Sequence, residues 1–173
     1  MKCKKIVVAL TTVALVLLGL SPAAMGQDKA TPQEIVKKVQ DAAKILPASG
    51  EPGLAEFNKK ESPWVWKDTY VFVLECAKGT MAAHPMKPDM VGKDILATKD
   101  TKGSPFFGEL CGATKQPSGV WVEYWWPKPG EKEGSRKISY ALRAGDTPYV
   151  IGAGIYDDKA TIGELVKVTS GAK

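Results

Sequence analysis

Tyr70-Val71-Phe72-Val73-Leu74-Glu75-Cys76, then Ala77-Lys78-Gly79, then Thr80-Met81-Ala82-Ala83-His84-Pro85 is the stretch that decides the fold. Two apolar runs rich in β-branched and aromatic residues flank a short glycine-containing turn, which reads as an antiparallel hairpin. Three further runs of the same kind follow. They are Gly119-Val120-Trp121-Val122-Glu123-Tyr124-Trp125-Trp126, Arg136-Lys137-Ile138-Ser139-Tyr140, and Tyr149-Val150-Ile151-Gly152-Ala153-Gly154-Ile155-Tyr156. The turns Lys128-Pro129-Gly130 and Gly145-Asp146-Thr147-Pro148 join them as an antiparallel meander. Strands are thus expected near 69–76, 80–84, 119–126, 136–143 and 148–156. Between the second and third lies an excursion, Pro85 to Ser118, broken by several prolines and glycines. So long a connection is rarely a plain loop, and Phe106 to Thr114 reads as a short helix inside it.

Before the strands, Thr31-Pro32-Gln33-Glu34 places a capping threonine, a first-turn proline and a glutamate at the third position. Ile35, Val36, Val39, Ala42, Ala43 and Leu46 then recur at helical spacing. This predicts an amphipathic helix ending near Pro47, then a second short one from Pro52 to Lys60. Thr161 to Val168 reads as a closing helical turn.

The first 26 residues read as a secretory leader. Lys2, Lys4 and Lys5 precede an uncharged run from Ile6 to Leu20, and small residues follow at Ala24 and Gly26. The run is 15 residues long, short of the ~20 that span a bilayer. The expected domains are therefore a leader over 1–26 and one binding domain over 27–173, periplasmic or secreted; an uncleaved membrane anchor is the alternative. The leader holds three of the 24 basic residues and none of the 19 acidic ones, so the net charge of +5 drops to +2 without it. No dense basic patch remains, which argues against nucleic acid as a partner.

Two cysteines, Cys76 and Cys111, remain after the leader. In an oxidising compartment such a pair commonly forms a disulfide, with two buried thiols as the alternative. A loop of 35 positions would contribute roughly 3–4 kcal/mol in the chain-entropy account.

The hairpin with Gly79, the His84-Pro85 pair, Val91-Gly92-Lys93-Asp94 and the three later runs, in this order and spacing, resemble the single Cache sensor domain. The resemblance covers about 30 to 160. It implies an α+β fold: a long N-terminal helix packed on a five-stranded antiparallel sheet, Cache/PAS-like. It also implies a small-molecule pocket between sheet and excursion, often for a small organic acid. Such domains usually sit in chemoreceptors and sensor kinases. No signalling module is read after this one, so the expected output runs through a separate membrane receptor, sensor kinase or transporter.

The candidate ligand-binding residues are Trp66, Tyr70, His84, Tyr124, Trp126, Lys137 and Tyr140. Alternation puts Val120, Val122, Tyr124 and Trp126 on one strand face and Trp121, Glu123 and Trp125 on the other. The resemblance favours Tyr124 and Trp126 as pocket walls. Lys137 beside a tyrosine hydroxyl would hold a carboxylate by charge-assisted hydrogen bonds, with Arg136 as its rival. Lys137 and Tyr140 differ by three positions, so only a bulge would bring both to one face. His84 would donate to an anion or read pH; a structural histidine is the alternative.

No cofactor or enzymatic activity is expected. One histidine and distant cysteines offer no zinc spacing, and Cys-x-x-Cys-His is absent. Gly152-Ala153-Gly154 lacks the third glycine of a dinucleotide loop, and close backbone packing explains it better. Lys99-Asp100-Thr101-Lys102-Gly103 lacks a calcium-ligand series and reads as a solvated turn. The competing reading is a structural or adhesion-type envelope protein with a filled pocket.

Overall fold

A computed structural model describes residues 28–171. The expected leader lies outside them. The chain opens with α1 (Pro32–Phe57), and both hydrogen bonds of the Thr31/Glu34 capping box are formed. Two short strands follow, β1 (Val65–Trp66) and β2 (Thr69–Tyr70), then β3 (Phe72–Glu75) and β4 (Thr80–Ala83). Within the excursion, α2 (Phe107–Cys111) runs into a 3-10 turn, Gly112–Lys115. The long strands β5 (Val120–Pro127), β6 (Gly134–Arg143) and β7 (Tyr149–Ile155) come next, and α3 (Ile162–Gly171) closes the chain.

The first helix does not stop at Pro47. It runs on to Gly50, whose φ of 56° lies in the left-handed region that glycine tolerates, and there it kinks into the short second segment. The sequence predicts two helices, and the kink separates them three residues later than Pro47 suggests.

All five strands of the main sheet pair antiparallel, in the order β4-β3-β7-β6-β5. The last three form the expected meander, and β7 closes onto the first hairpin. The α+β arrangement of N-terminal helix and five-stranded sheet is thus as expected. The sheet separates two apolar clusters. On one face α1 lays Ile35, Val36, Val39, Ala42 and Leu46 on Val71, Val73, Ile138, Ile151 and Ala153. On the other, Tyr70, Phe72, Leu74, Val122, Tyr124 and Trp126 meet Phe106, Phe107 and Leu110 of the excursion. Strand alternation explains the split: Tyr70, Phe72 and Leu74 point one way, Val71 and Val73 the other.

Backbone hydrogen bonds tie the excursion to the hairpin, as from Gly92 to Met81 and Ile95 to Gly79, and two side-chain clasps add to them. Cys76 and Cys111 form a disulfide, with Cα atoms 5.6 Å apart, so α2 is tied to the first hairpin. Asp100 is the second clasp and corrects the expectation of a solvated turn. Its carboxylate is buried and accepts N–H bonds from Lys102, Ser104 and, across the chain, Trp125 at 2.9 Å. Burial opposes its charge, yet these donors outweigh that cost and hold its pKa below the ordinary carboxylate value.

Candidate functional site

The site lies on the excursion side of the sheet. β5 and β6 pair in regular register, with Tyr124 opposite Lys137, Val122 opposite Ser139 and Trp121 opposite Tyr140. With no bulge in this pair, residues 137 and 139 share the face of Tyr124, and Tyr140 faces α1. Tyr140 packs on Trp121 at 5.2 Å and donates its hydroxyl to the Ser118 carbonyl at 2.8 Å. The chain therefore does not bring Tyr140 to the other candidates. Trp66 is also separated from them. Lys67, with φ 47°, turns the chain between β1 and β2, so the alternation that would align 66 with 70 is broken. Trp66 joins the helix-side cluster, 5.5 Å beneath the Lys38 ammonium.

Five candidates do converge: Tyr70, His84, Tyr124, Trp126 and Lys137. The first four line a small chamber with Phe72, Met81, Phe106 and Phe107, of volume about 10 Å³. Phe106 stacks on Tyr124 with ring centroids 4.0 Å apart and meets Trp126 edge-on at 5.5 Å. His84 lies against Tyr70 at 4.8 Å.

Lys137 is the chemical centre. It is fully buried, and its Nζ has no hydrogen-bond partner among the described residues. The ammonium instead lies among aromatic rings, 4.1 Å from Tyr70, 4.9 Å from Tyr156 and 5.7 Å from Phe72. Burial pushes its pKa down from 10.5 to about 7, and the charge of Asp68 only partly offsets this. The glycines of β7 make this position habitable. A Cβ at Gly154 would meet Lys137 Cε at 2.8 Å, and one at Gly152 would press into the Phe72 ring. Gly152-Ala153-Gly154 is thus the cleared floor beneath Lys137 and Phe72, the close packing expected of it. Arg136, the rival cation, faces away. It donates to Glu123 at 2.5 Å and to the carbonyls of Asp157 and Ala160, so its charge is already matched.

His84 is neutral. Burial and the nearby Lys137 and Lys87 charges lower its pKa from 6.5 to about 3. Its Nδ1 accepts the Lys87 N–H at 2.9 Å, which leaves the proton on Nε2. It can donate one neutral hydrogen bond but supplies no charge. Tyr124 and Ser139 hydroxyls share a buried 2.7 Å hydrogen bond. Burial raises the pKa of Tyr70, Tyr124 and Tyr156, so all three remain protonated donors. The site therefore combines a chamber of neutral donors and flat aromatic walls with one buried amine behind its Tyr70 wall. Phe72, Phe106, Phe107, Met81 and Tyr156 are not among the sequence candidates. Among the described residues no cluster of metal-ligating side chains occurs. None of their helices is long and apolar enough to cross a membrane.

The sequence profile of the Cache domain family matches residues 60–161. Over 78 residues the chain is 35% identical to the methyl-accepting chemotaxis protein McpP of Pseudomonas putida, covering 45% of this chain and 14% of McpP. Over 92 residues it is 29% identical to the sensor histidine kinase MctS of Rhizobium johnstonii, covering 53% of this chain and 20% of MctS. The chain thus spans a fifth or less of the length of these two relatives. Among solved structures, a periplasmic sensor domain of a chemotaxis protein aligns with TM-score 0.57 and 25% identity, over 71% of this chain and 90% of that one. A Cache chemosensory domain studied for its carboxylic acid recognition aligns with TM-score 0.55 and 28% identity, over 71% and 82%.

Proposed function

This chain belongs to the Cache domain family, the extracytoplasmic small-molecule sensor modules of chemotaxis receptors and sensor kinases, and from that premise we propose that it senses a small carboxylate. The proposed contact is a charge-assisted hydrogen bond between the ligand carboxylate and Lys137. Tyr70, Tyr124 and Trp126 form the walls, and His84 is a neutral donor. A separate membrane receptor, sensor kinase or transporter reads the bound state.

The observation that carries this is the Lys137 amine, buried without a hydrogen-bond partner among the described residues. An unpaired buried amine is costly, and a purely structural core would place an apolar side chain there. A ligand carboxylate supplies the missing partner. The relative studied for carboxylic acid recognition is consistent with this choice. The structural or envelope reading draws on the chamber volume of about 10 Å³, which leaves little open space. It gives no reason for the amine.

A thermal-shift screen of the protein separates the two. Small mono- and dicarboxylates are compared with their neutral amides. The sensor reading expects some carboxylates to raise the melting temperature while their amides do not. No shift at millimolar concentration would favour the structural reading.

A further inference from the structure

Every residue that lines the chamber around Tyr124 and Trp126 is buried, so a ligand needs a way in. A larger cleft of about 270 Å³ shares a wall with it, and the shared residue is Tyr70. Most of the remaining cleft follows in sequence from the chamber walls. Met86 and Lys87 come two and three residues after His84, and Pro127 follows Trp126. Three lysines line it, Lys60, Lys87 and Lys128, against a single acid, Glu131. The Lys87 ammonium lies 5.1 Å from the Trp126 ring centroid, at the boundary between the two spaces. The opposite side is pinned, because the disulfide holds α2 and Asp100 holds the excursion to β5.

We propose that this cleft is the approach for the ligand, that its lysines steer an anion inward, and that the Tyr70 ring is the plate that turns to admit it. The same ring lies 4.1 Å from Lys137 Nζ. One rotation would therefore open the wall and uncover the amine together. Interactions of its hydroxyl with Tyr156 and Trp126, and packing on the His84 ring at 4.8 Å, keep the Tyr70 side chain in its present position. A cleft lined by one sign of charge concentrates ions of the other sign and speeds their capture. The inference rests on the carboxylate reading of Lys137, and the test separates the two.

Glyoxylate and acetaldehyde are two-carbon aldehydes of similar size, one anionic and one neutral. Each condenses with an unprotonated lysine amine and loses water. Added cyanoborohydride delivers hydride to the imine, leaving carboxymethyl- or ethyl-lysine. Peptide mass spectrometry reads Lys137 separately from the exposed lysines. At low salt and near-neutral pH, Lys137 should take glyoxylate faster than acetaldehyde. Lys60→Glu with Lys128→Glu should lower that preference several-fold, as should 1 M salt, where the screening length is ~3 Å. Tyr70→Phe, which loses the hydroxyl but keeps the ring, should speed labelling by both reagents. A preference indifferent to the charge reversals and to salt, or a Tyr70→Phe protein labelled at the parent rate, overturns the proposed approach. The Lys137 site stands in that case, provided glyoxylate still modifies it. If glyoxylate modifies exposed lysines and spares Lys137, the carboxylate site fails, and the approach fails with it.

Discussion

Replacing Lys137 with methionine should stabilise the unliganded protein. The folded chain holds this amine near pKa 7, against 10.5 as its ordinary value. Each pKa unit corresponds to about 1.36 kcal/mol, so the full penalty is roughly 4–5 kcal/mol. Its sign follows from proton binding. Above pH 10.5 the amine is neutral in both states and costs nothing. As pH falls toward 7, the unfolded chain takes up a proton that the folded chain refuses, and stability drops. Below about 7 both states carry the proton and the penalty is constant. The parent should therefore gain stability as pH rises from 7 toward 10.5, and the methionine variant should lack that part of the slope. Methionine approximates the shape of the lysine stem and needs no partner. At about pH 7 the variant should be the more stable by roughly 4 kcal/mol, a shift of about 2 M in the urea midpoint for slopes near 2 kcal/mol per M. The gap should shrink steadily by about pH 9.5. Urea unfolding across this pH range measures it. Equal midpoints at every pH, or a variant weaker throughout, would show that Lys137 is not held as an unpaired buried amine.

Carboxylate affinity should be flat just below about pH 7 and fall by up to about tenfold per unit above it, because binding must then recruit a proton to Lys137. Calorimetry at about pH 8 in buffers of different ionisation enthalpy should detect that uptake; none would contradict the pairing. Gly154→Ala should cost roughly 1–3 kcal/mol by overpacking, since its Cβ would sit 2.8 Å from Lys137 Cε, and should weaken ligand binding as the amine is displaced. Denaturant midpoints and calorimetry check both effects. Alkylation of the native protein without its leader, which carries Cys3, should leave the mass unchanged in the absence of reductant, and Cys76→Ala with Cys111→Ala should lose roughly 3–4 kcal/mol. Mass spectrometry of the exported protein should find a first residue at or near Gln27; retention of the leader in the membrane fraction would oppose this.

Much of the fold is legible because the strands obey alternation and the helix obeys its own period. Val122, Tyr124 and Trp126 against Trp121 is the clearest case, since both faces are apolar yet each set meets its own cluster. The same rule separates Lys137 from Tyr140 on sequence alone, and the unbulged register upholds it. Trp66 falls outside that rule, because the chain turns between 66 and 69 instead of running on as one strand. A lysine at φ 47° carries no sequence mark comparable to glycine, so this turn is invisible in the sequence. Phe72 is within reach, being two residues from Tyr70 with the same side-chain direction. Phe106 and Phe107 are not, because excursion residues reach the site through long-range closure rather than periodicity. Nor does composition tell Lys137 from Arg136. Burial and the partners of each cation decide that, and only the folded chain supplies them.

The most direct measurement is an NMR pH titration of the Lys137 side chain, through its Cε and Nζ signals, with and without a saturating small carboxylate. Without ligand the midpoint should lie near 7. A charge-assisted hydrogen bond of about 1.5–3 kcal/mol should raise it by roughly one to two units in the complex. A midpoint near 10.5 in the free protein, or one that a bound carboxylate leaves unmoved, would contradict the assignment of Lys137 as the carboxylate partner.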